Sequence, residues 1–276
     1  MELPTFLLII LIVLGALLVL FAIYLFLLAP KKTKDMEKYK NKYYAHRGLH
    51  NDERAENSMS AFRAAVEGGY GIELDVRLSK DGKLVVFHDD TLDRVCGREG
   101  KVIDFTADEL KTFSLSGTQD GIPLFTDVLS LVDGRIPLLV EIKENPGDSS
   151  VSTTTCEILK DYHGDYIIES FNPLSLKVVK EKLPDVSRGI LCQQYMKNDN
   201  FKKPLYFFMQ MLIANFSCRP AFIAFYHKHW KSGALRIARA IFKVPTIAWT
   251  TKSPEEEALA RKHGFDGIIF ENYIPR

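Results

Sequence analysis

Two apolar runs carry charge where charge is hard to accommodate. Ile72-Glu73-Leu74-Asp75-Val76 and Leu139-Val140-Glu141-Ile142-Lys143 each set ionisable side chains two residues apart inside a strand-like segment. Side chains on a strand alternate between faces, so Glu73 shares a face with Asp75 and Glu141 shares one with Lys143. Such groups are seldom buried without compensation. Three clustered carboxylates repel one another and take up protons unless a cation neutralises them, which makes Glu73, Asp75 and Glu141 candidate oxygen ligands of one divalent cation, Mg2+ or Ca2+. Zinc suits an all-oxygen set less well, although two nearby histidines keep it open. Those histidines come from Tyr44-Ala45-His46-Arg47-Gly48 and Phe87-His88-Asp89, and imidazole titrates in the range that general acid and general base catalysis both need. Arg47 as a planar fork and Lys143 as a point charge would meet phosphate oxygens. The combination predicts hydrolysis of a phosphate ester. Singly, each group has an ordinary explanation, such as a satisfied histidine at a strand end or a Glu73–Arg77 salt bridge. Jointly, these groups on neighbouring segments call for a site.

These groups need a scaffold that brings separate strands together at one edge. From Lys42 onward, short β-rich runs alternate with helical patterns, the mark of a parallel sheet covered by helices. Nine runs stand out, at 43–46, 71–76, 84–88, 137–142, 166–169, 189–192, 222–225, 246–249 and 267–270. The link from Val76 to Leu84 contains Asp81-Gly82 and is too short for a helical crossover, so the run ending at His88 is expected to fold back as an antiparallel hairpin. Eight strands remain, which predicts an α/β fold: a (β/α)8 barrel with an insertion at 77–135 between strands two and three. Its active site belongs at the C-terminal strand edge, where His46, Arg47, Glu73, Asp75, Glu141 and Lys143 would converge and His88 would approach from the hairpin. Helices are expected at 58–67, 153–161 and 174–182. Another should start at Ser253-Pro254-Glu255-Glu256, which combines a serine cap, a first-turn proline and acids at the positive end.

With 276 residues, 46% hydrophobic and 26% charged, the chain can build one sizeable core. The stretch 3–29 is almost uninterruptedly apolar and long enough to cross a bilayer. A cleaved signal peptide is the rival, but its basic leading region is absent, Glu2 being the only charge before the run. Lys31, Lys32, Lys34, Lys38, Lys40 and Lys42 follow it, which predicts a single-pass cell-membrane protein with its catalytic part on the cytoplasmic side. The expected organisation is a transmembrane anchor at 1–30, a basic juxtamembrane linker at 31–42 and the barrel at 43–276. A net charge of +1 gives no footprint for nucleic acid, and no protein partner is implied. Cys96, Cys156, Cys192 and Cys218 lack paired spacing and read as free thiols. The segment 201–216, with Leu205-Tyr206-Phe207-Phe208-Met209, is too short to span and too apolar for water. It is expected to pack on the barrel, with docking on the bilayer as the alternative that Lys202 and Lys203 favour.

The motifs also resemble a known family. His46-Arg47-Gly48, Glu56-Asn57-Ser58 with Ala61-Phe62, Glu73-Leu74-Asp75-Val76, Lys80-Asp81-Gly82, Val85-Val86-Phe87-His88-Asp89 and Leu92-Asp93-Arg94 follow one another as in the glycerophosphodiester phosphodiesterases. Ile122-Pro123, Glu141-Ile142-Lys143, Ser170-Phe171, Trp249-Thr250 and Gly267-Ile268-Ile269 extend the likeness over nearly all of the chain beyond the apolar stretch. The resemblance implies a TIM barrel with a small insertion, a divalent metal on Glu73, Asp75 and Glu141, and paired catalytic histidines His46 and His88. It further implies hydrolysis of glycerophosphodiesters to sn-glycerol 3-phosphate and an alcohol, with Arg47 and Lys143 on the phosphate. One departure stands out: where members end the last strand with Thr-Asp before a proline, this chain has Phe270-Glu271-Asn272-Tyr273-Ile274-Pro275. Trp249 could stack on a glycerol or acyl portion, or be a core aromatic. The rival activities are a lysophospholipase D acting on lysophospholipids at the bilayer and, in another class, a catalytically silent membrane-bound scaffold.

Overall fold

The computed structural model describes residues 4–33, 36–145, 147–197 and 203–275; Glu2, Leu3, Lys34, Phe201 and Lys202 of the sequence argument lie outside them. Among the described residues nine strands form in chain order: β1 (Tyr43–Ala45), β2 (Gly71–Leu78), β3 (Leu84–Val86), β4 (Leu138–Ile142), β5 (Tyr166–Ser170), β6 (Arg188–Cys192), β7 (Phe222–Tyr226), β8 (Thr246–Thr251) and β9 (Gly267–Phe270). The sheet order is β1-β9-β8-β7-β6-β5-β4-β2-β3, and pairing of β1 with β2 closes the ring. Every pair in the ring is parallel, whereas β3 lies antiparallel on β2. The architecture is therefore the expected TIM barrel with an excursion after its second strand, preceded by an apolar helix at Thr5–Leu28.

Two faces of each strand see different surroundings. Ile72, Leu74, Val76, Val140, Ile168, Ile223 and Ile268 point outward into a core shared with Phe62, Val128, Leu176 and Leu235 of the surrounding helices. The inward faces supply Tyr44, Leu139, Ile167, Leu191, Phe222, Ala224, Ile247 and Ile269, which fill the barrel interior. Because both faces are covered, β2 and β4 are buried along the barrel, which is why their sequences there are apolar except at Glu73, Asp75 and Glu141. The excursion has a small core of its own, built from Val85, Phe87, Leu92, Val95, Val102, Leu110, Leu115 and Ile122.

Three details differ from the sequence expectation. Glu73 and Asp75 do not end β2. The strand continues to Leu78 because Arg77 and Leu78 pair with Val85 and Leu84 of β3, beyond the point where pairing with β4 stops at Val76 and Ile142. The strand expected to reach His88 ends at Val86, leaving His88 in the loop that follows. The basic stretch after the apolar helix is packed: Met36 and Tyr39 are buried in the barrel interior cluster, and Lys38 Nζ meets Asp165 at 2.6 Å. Ser253 caps its helix as expected, accepting from the Glu256 amide, and Ser58 likewise accepts from the Ala61 amide.

Candidate active site

The site is assembled at the C-terminal edge of β1, β2, β4 and β5. Parallel pairing sets Asp75 beside Glu141 and Glu141 beside Glu169, so three neighbouring strands aim carboxylates into the same interior layer. Glu73, Asp75 and Glu141 are 2%, 0% and 6% exposed, and their carboxylate oxygens lie within 4.8 Å of one another. Lys143, one residue past the end of β4, inserts its ammonium between them, 3.1 Å from Asp75 Oδ1 and 2.6 Å from Glu141 Oε1.

The loop after β1 is shaped to serve this cluster. Arg47 adopts a left-handed backbone (φ 56°), which turns its amide toward Glu73 Oε2 at 2.9 Å. Gly48 must follow, because φ is again positive (81°) and a Cβ would meet Phe62 Cδ1 at 2.9 Å. The Arg47 guanidinium lies between Glu56 (2.7 Å) and Asp75 (3.5 Å). Asn57, also left-handed, donates from Nδ2 to Asp75 Oδ2 at 2.8 Å.

Each histidine is oriented by its own carboxylate. His46 Nδ1 lies 2.7 Å from Glu271 Oε2, and His88 Nδ1 lies 2.5 Å from Asp89 Oδ1. With Nδ1 donating to the acid, Nε2 is left for the cleft that both rings line. Asp89 is itself gripped by Arg94 Nε at 2.6 Å, and the other nitrogens of Arg94 hold Glu56 at 2.7 and 2.8 Å. A chain of charges thus runs from Arg47 through Glu56, Arg94 and Asp89 to His88, joining the two loops that carry the imidazoles.

Burial dominates the electrostatics. It raises the Glu73 carboxyl well above its usual range, with Asp75 and Glu141 adding repulsion, and it pushes Glu141 up to about 7 despite Lys143. Burial acts on Asp75 the same way, but Lys143, His88 and Arg47 outweigh it and hold that carboxyl far below normal. Burial also lowers His88 to about 4 and lowers His46, so both imidazoles are neutral near pH 7. Glu271, by contrast, is held at about 2, first by the hydrogen bond from His46. The donor set fits a divalent cation. Four buried acids, Glu73, Asp75, Glu141 and Glu169, face the two cations Lys143 and Arg47, and Arg47 is shared with Glu56. A second group of possible ligands, His46, His50 and Glu271, is less enclosed, and its carboxylate is already engaged by His46 and by Lys252 at 3.1 Å.

All eight residues singled out in the sequence border this cleft or its floor. Seven of them, His46, Arg47, Glu73, His88, Glu141, Lys143 and Trp249, line a volume of about 150 Å3, with Asp75 beneath. Trp249 projects from β8, edge-on to Phe171 at 5.6 Å, and its buried Nε1 finds no hydrogen-bond partner among the described residues. Glu169 was missed by the sequence argument, although Tyr166-Ile167-Ile168-Glu169 carries the signal used for Glu73, a charge inside an apolar strand. It is buried in the cleft wall with Oε2 unpartnered among the described residues, and burial followed by Glu141 and Glu73 raises its carboxyl strongly. Glu271 was also passed over, since it meets His46 across 225 positions; Asp89 and Arg94, one and six residues after His88, stood in the quoted motifs but were given no role.

The sequence signature of the glycerophosphoryl diester phosphodiesterase family matches residues 46–274, nearly the whole barrel. The chain belongs to that family. A glycerophosphodiester phosphodiesterase of Caldanaerobacter subterraneus is 39% identical over 163 residues, which is 54% of this chain and 65% of that one, just under two thirds of the relative's length. Among solved family structures, the glycerophosphodiester phosphodiesterase of Thermotoga maritima superposes with a TM-score of 0.64 at 29% identity, covering 83% of this chain and 93% of that one. A phosphodiesterase of Oleispira antarctica, solved with its product sn-glycerol 3-phosphate, has the same fold with a TM-score of 0.68 at 21% identity, covering 85% and 94%.

Proposed function

We propose that this family member hydrolyses glycerophosphodiesters to sn-glycerol 3-phosphate and an alcohol. The observation that carries the reading is the cluster of Glu73, Asp75 and Glu141 within 4.8 Å, flanked in one cleft by His46 and His88. The three acids hold one divalent cation, Mg2+ or Ca2+, which when bound polarises a phosphoryl oxygen. Arg47 and Lys143 are positioned by Glu56, Asp75 and Glu141 and lend positive charge to the phosphate. One neutral imidazole accepts the proton of the attacking hydroxyl at Nε2; the other, protonated at Nε2 when the anionic phosphate of the substrate binds beside it, delivers that proton to the departing alkoxide. Glu271 and Asp89 stabilise the imidazolium each time it forms. Trp249 lines the cleft where the glycerol or alcohol part would lie.

The helix Thr5–Leu28, whose most apolar window is wholly uncovered, serves as a single-pass anchor, with the barrel on the cytoplasmic side by the lysine bias. A second reading, lysophospholipase D activity at the bilayer, is favoured by the exposed aromatic helix near the anchor. The test is a panel of glycerophosphocholine and lysophosphatidylcholine offered to the full chain in detergent micelles, with release of choline measured. Turnover of glycerophosphocholine is expected; turnover of the lysolipid alone would replace the first reading by the second, and turnover of neither would favour the silent scaffold.

A further inference from the structure

The helix Pro204–Gln210 in the crossover between β6 and β7 has no buried residue. Leu205, Phe207 and Phe208 are 63%, 47% and 52% exposed, and Phe216 beyond it is half exposed as well. A run of large apolar side chains kept open in this way marks a surface built for something other than water. The helix is nevertheless firmly attached. Gln210 Oε1 accepts from the Met196 amide, Tyr206 packs against Tyr195 at 5.6 Å, and Leu212 is buried in the main core.

What lies beside this patch identifies its partner. Tyr24, near the end of the apolar helix Thr5–Leu28, donates from its hydroxyl to the Met211 carbonyl at 3.1 Å, immediately after the exposed helix. Arg219 donates to the Phe26 and Ala29 carbonyls and stacks over the Phe26 ring at 4.7 Å, closing the C-terminal end of the anchor onto the same crossover. Leu28 joins the barrel's outer core. From Ala29 back to Tyr24, the contacts move from Arg219, just before β7, to Met211, farther up the crossover. Met209, in turn, meets Cys192 at the C-terminal end of β6. The anchor therefore rises along the side of the barrel toward its catalytic rim, and the exposed aromatics stand next to its path.

We propose that Leu205, Phe207 and Phe208 enter the same bilayer that the anchor spans, so that the barrel meets the membrane at two points and its β6 rim faces the lipid surface. The proposal rests on the spanning reading of Thr5–Leu28. A short helix with aromatic and aliphatic residues open to one side, led by the exposed Lys203, suits the boundary between headgroups and acyl chains. A soluble partner would have to compete for this patch with a bilayer already held against it. Two attachment points fix the tilt of the barrel, which one helix alone does not.

Tryptophan reporters read both points in the full chain reconstituted in vesicles of phosphatidylcholine and phosphatidylglycerol. Phe21→Trp reports on the anchor and Phe208→Trp on the crossover helix, with Phe207→Trp as a second reporter in case one site disturbs folding; the emission of Trp230 and Trp249 in the parent protein is subtracted. Brominated phosphatidylcholine should remove most of the added emission of all three variants, while aqueous acrylamide should barely affect it. Quenching of Phe21→Trp by the lipid, with Phe207→Trp and Phe208→Trp open to acrylamide instead, would overturn the proposal and leave the anchor intact. Protection of both crossover reporters from either quencher would overturn it in favour of a second copy of the chain covering the patch. An unquenched Phe21→Trp would bring down the spanning reading and this proposal with it.

Discussion

Within the barrel, the same inward-facing strand positions do opposite work at successive levels. Tyr44, Leu139 and Ile167 belong to an apolar plug; two residues along the same faces, His46, Glu141 and Glu169 belong to the charged cleft. The plug is tight: Phe222 fills the space over Gly189, where a Cβ would enter its ring, and Met36 and Tyr39 join the same cluster. The layer above is also buried, yet its acids are driven from their ordinary protonation by burial and by one another. A step of two residues thus separates burial that stabilises the fold from burial that destabilises a charge. The second kind persists where a ligand is to relieve it.

Substitutions that separate the layers give the strongest tests. Asp75→Asn and Glu73→Gln, which remove charge with little change in volume, should both abolish cation-dependent turnover; Glu73→Gln should leave the melting temperature equal or higher, whereas Asp75→Asn gives up the carboxylate that Lys143 and Arg47 hold ionised and should lower it. His88→Ala should lower kcat by about 10²- to 10⁴-fold. A fall in stability instead, with activity kept, would mean that the charged layer is structural. Below it, Ile167→Ala should cost about 2–5 kcal/mol of stability and leave kcat nearly unchanged in assays well under its melting point; a selective loss of kcat would erase the distinction between the layers.

Acidity sharpens the contrast. In the cation-free protein Glu141 titrates near 7, above its ordinary 4.5, so between these values the folded state binds more protons than the unfolded one. That contribution to stability is complete below about pH 4.5 and disappears as pH rises through about 7, whereas the depressed Asp75 acts only at lower pH, where its contribution is lost on acidification. The stabilisation owed to Glu141, read as the difference in melting temperature between the EDTA-stripped parent and Glu141→Gln, should therefore fall between about pH 5.5 and about pH 7.5, by roughly 2–4 °C for each kcal/mol involved. The lowered imidazoles of His46 and His88, which act in the opposite direction, cancel in that difference. Mg2+ or Ca2+ should reverse the loss at the higher pH. A melting temperature unaffected by cation would count against shared ligation. The smallest expected effect belongs to Arg94→Ala, which frees Asp89 and Glu56; kcat should fall by about tenfold with KM little changed, and restoration by Arg94→Lys should be partial because a point charge cannot bridge both acids.

The barrel and much of its site could be read from the chain for a physical reason. Alternation on strands is strictly local, so Glu73 with Asp75 and Glu141 with Lys143 announce their shared faces, and the short Asp81-Gly82 connection forces the hairpin that delivers His88. What stayed hidden depends on long-range geometry. Glu271 meets His46 across 225 positions, and Arg94 meets Glu56 across 38. Neither pairing leaves a periodic trace. The packing of Met36 and Tyr39 into the barrel was masked by the lysines around them, which read as a solvated linker.

The central claim is that Glu73, Asp75 and Glu141 share one catalytic cation. Its most direct test is release of sn-glycerol 3-phosphate from glycerophosphocholine by the EDTA-stripped full chain, titrated with Mg2+ and separately with Ca2+, alongside Asp75→Asn. The account predicts no turnover without cation, a saturable return with at least one of the two ions, and no return in the variant at any concentration. Full turnover in EDTA, or an Asp75→Asn enzyme that the cation restores to the parent level, would contradict it.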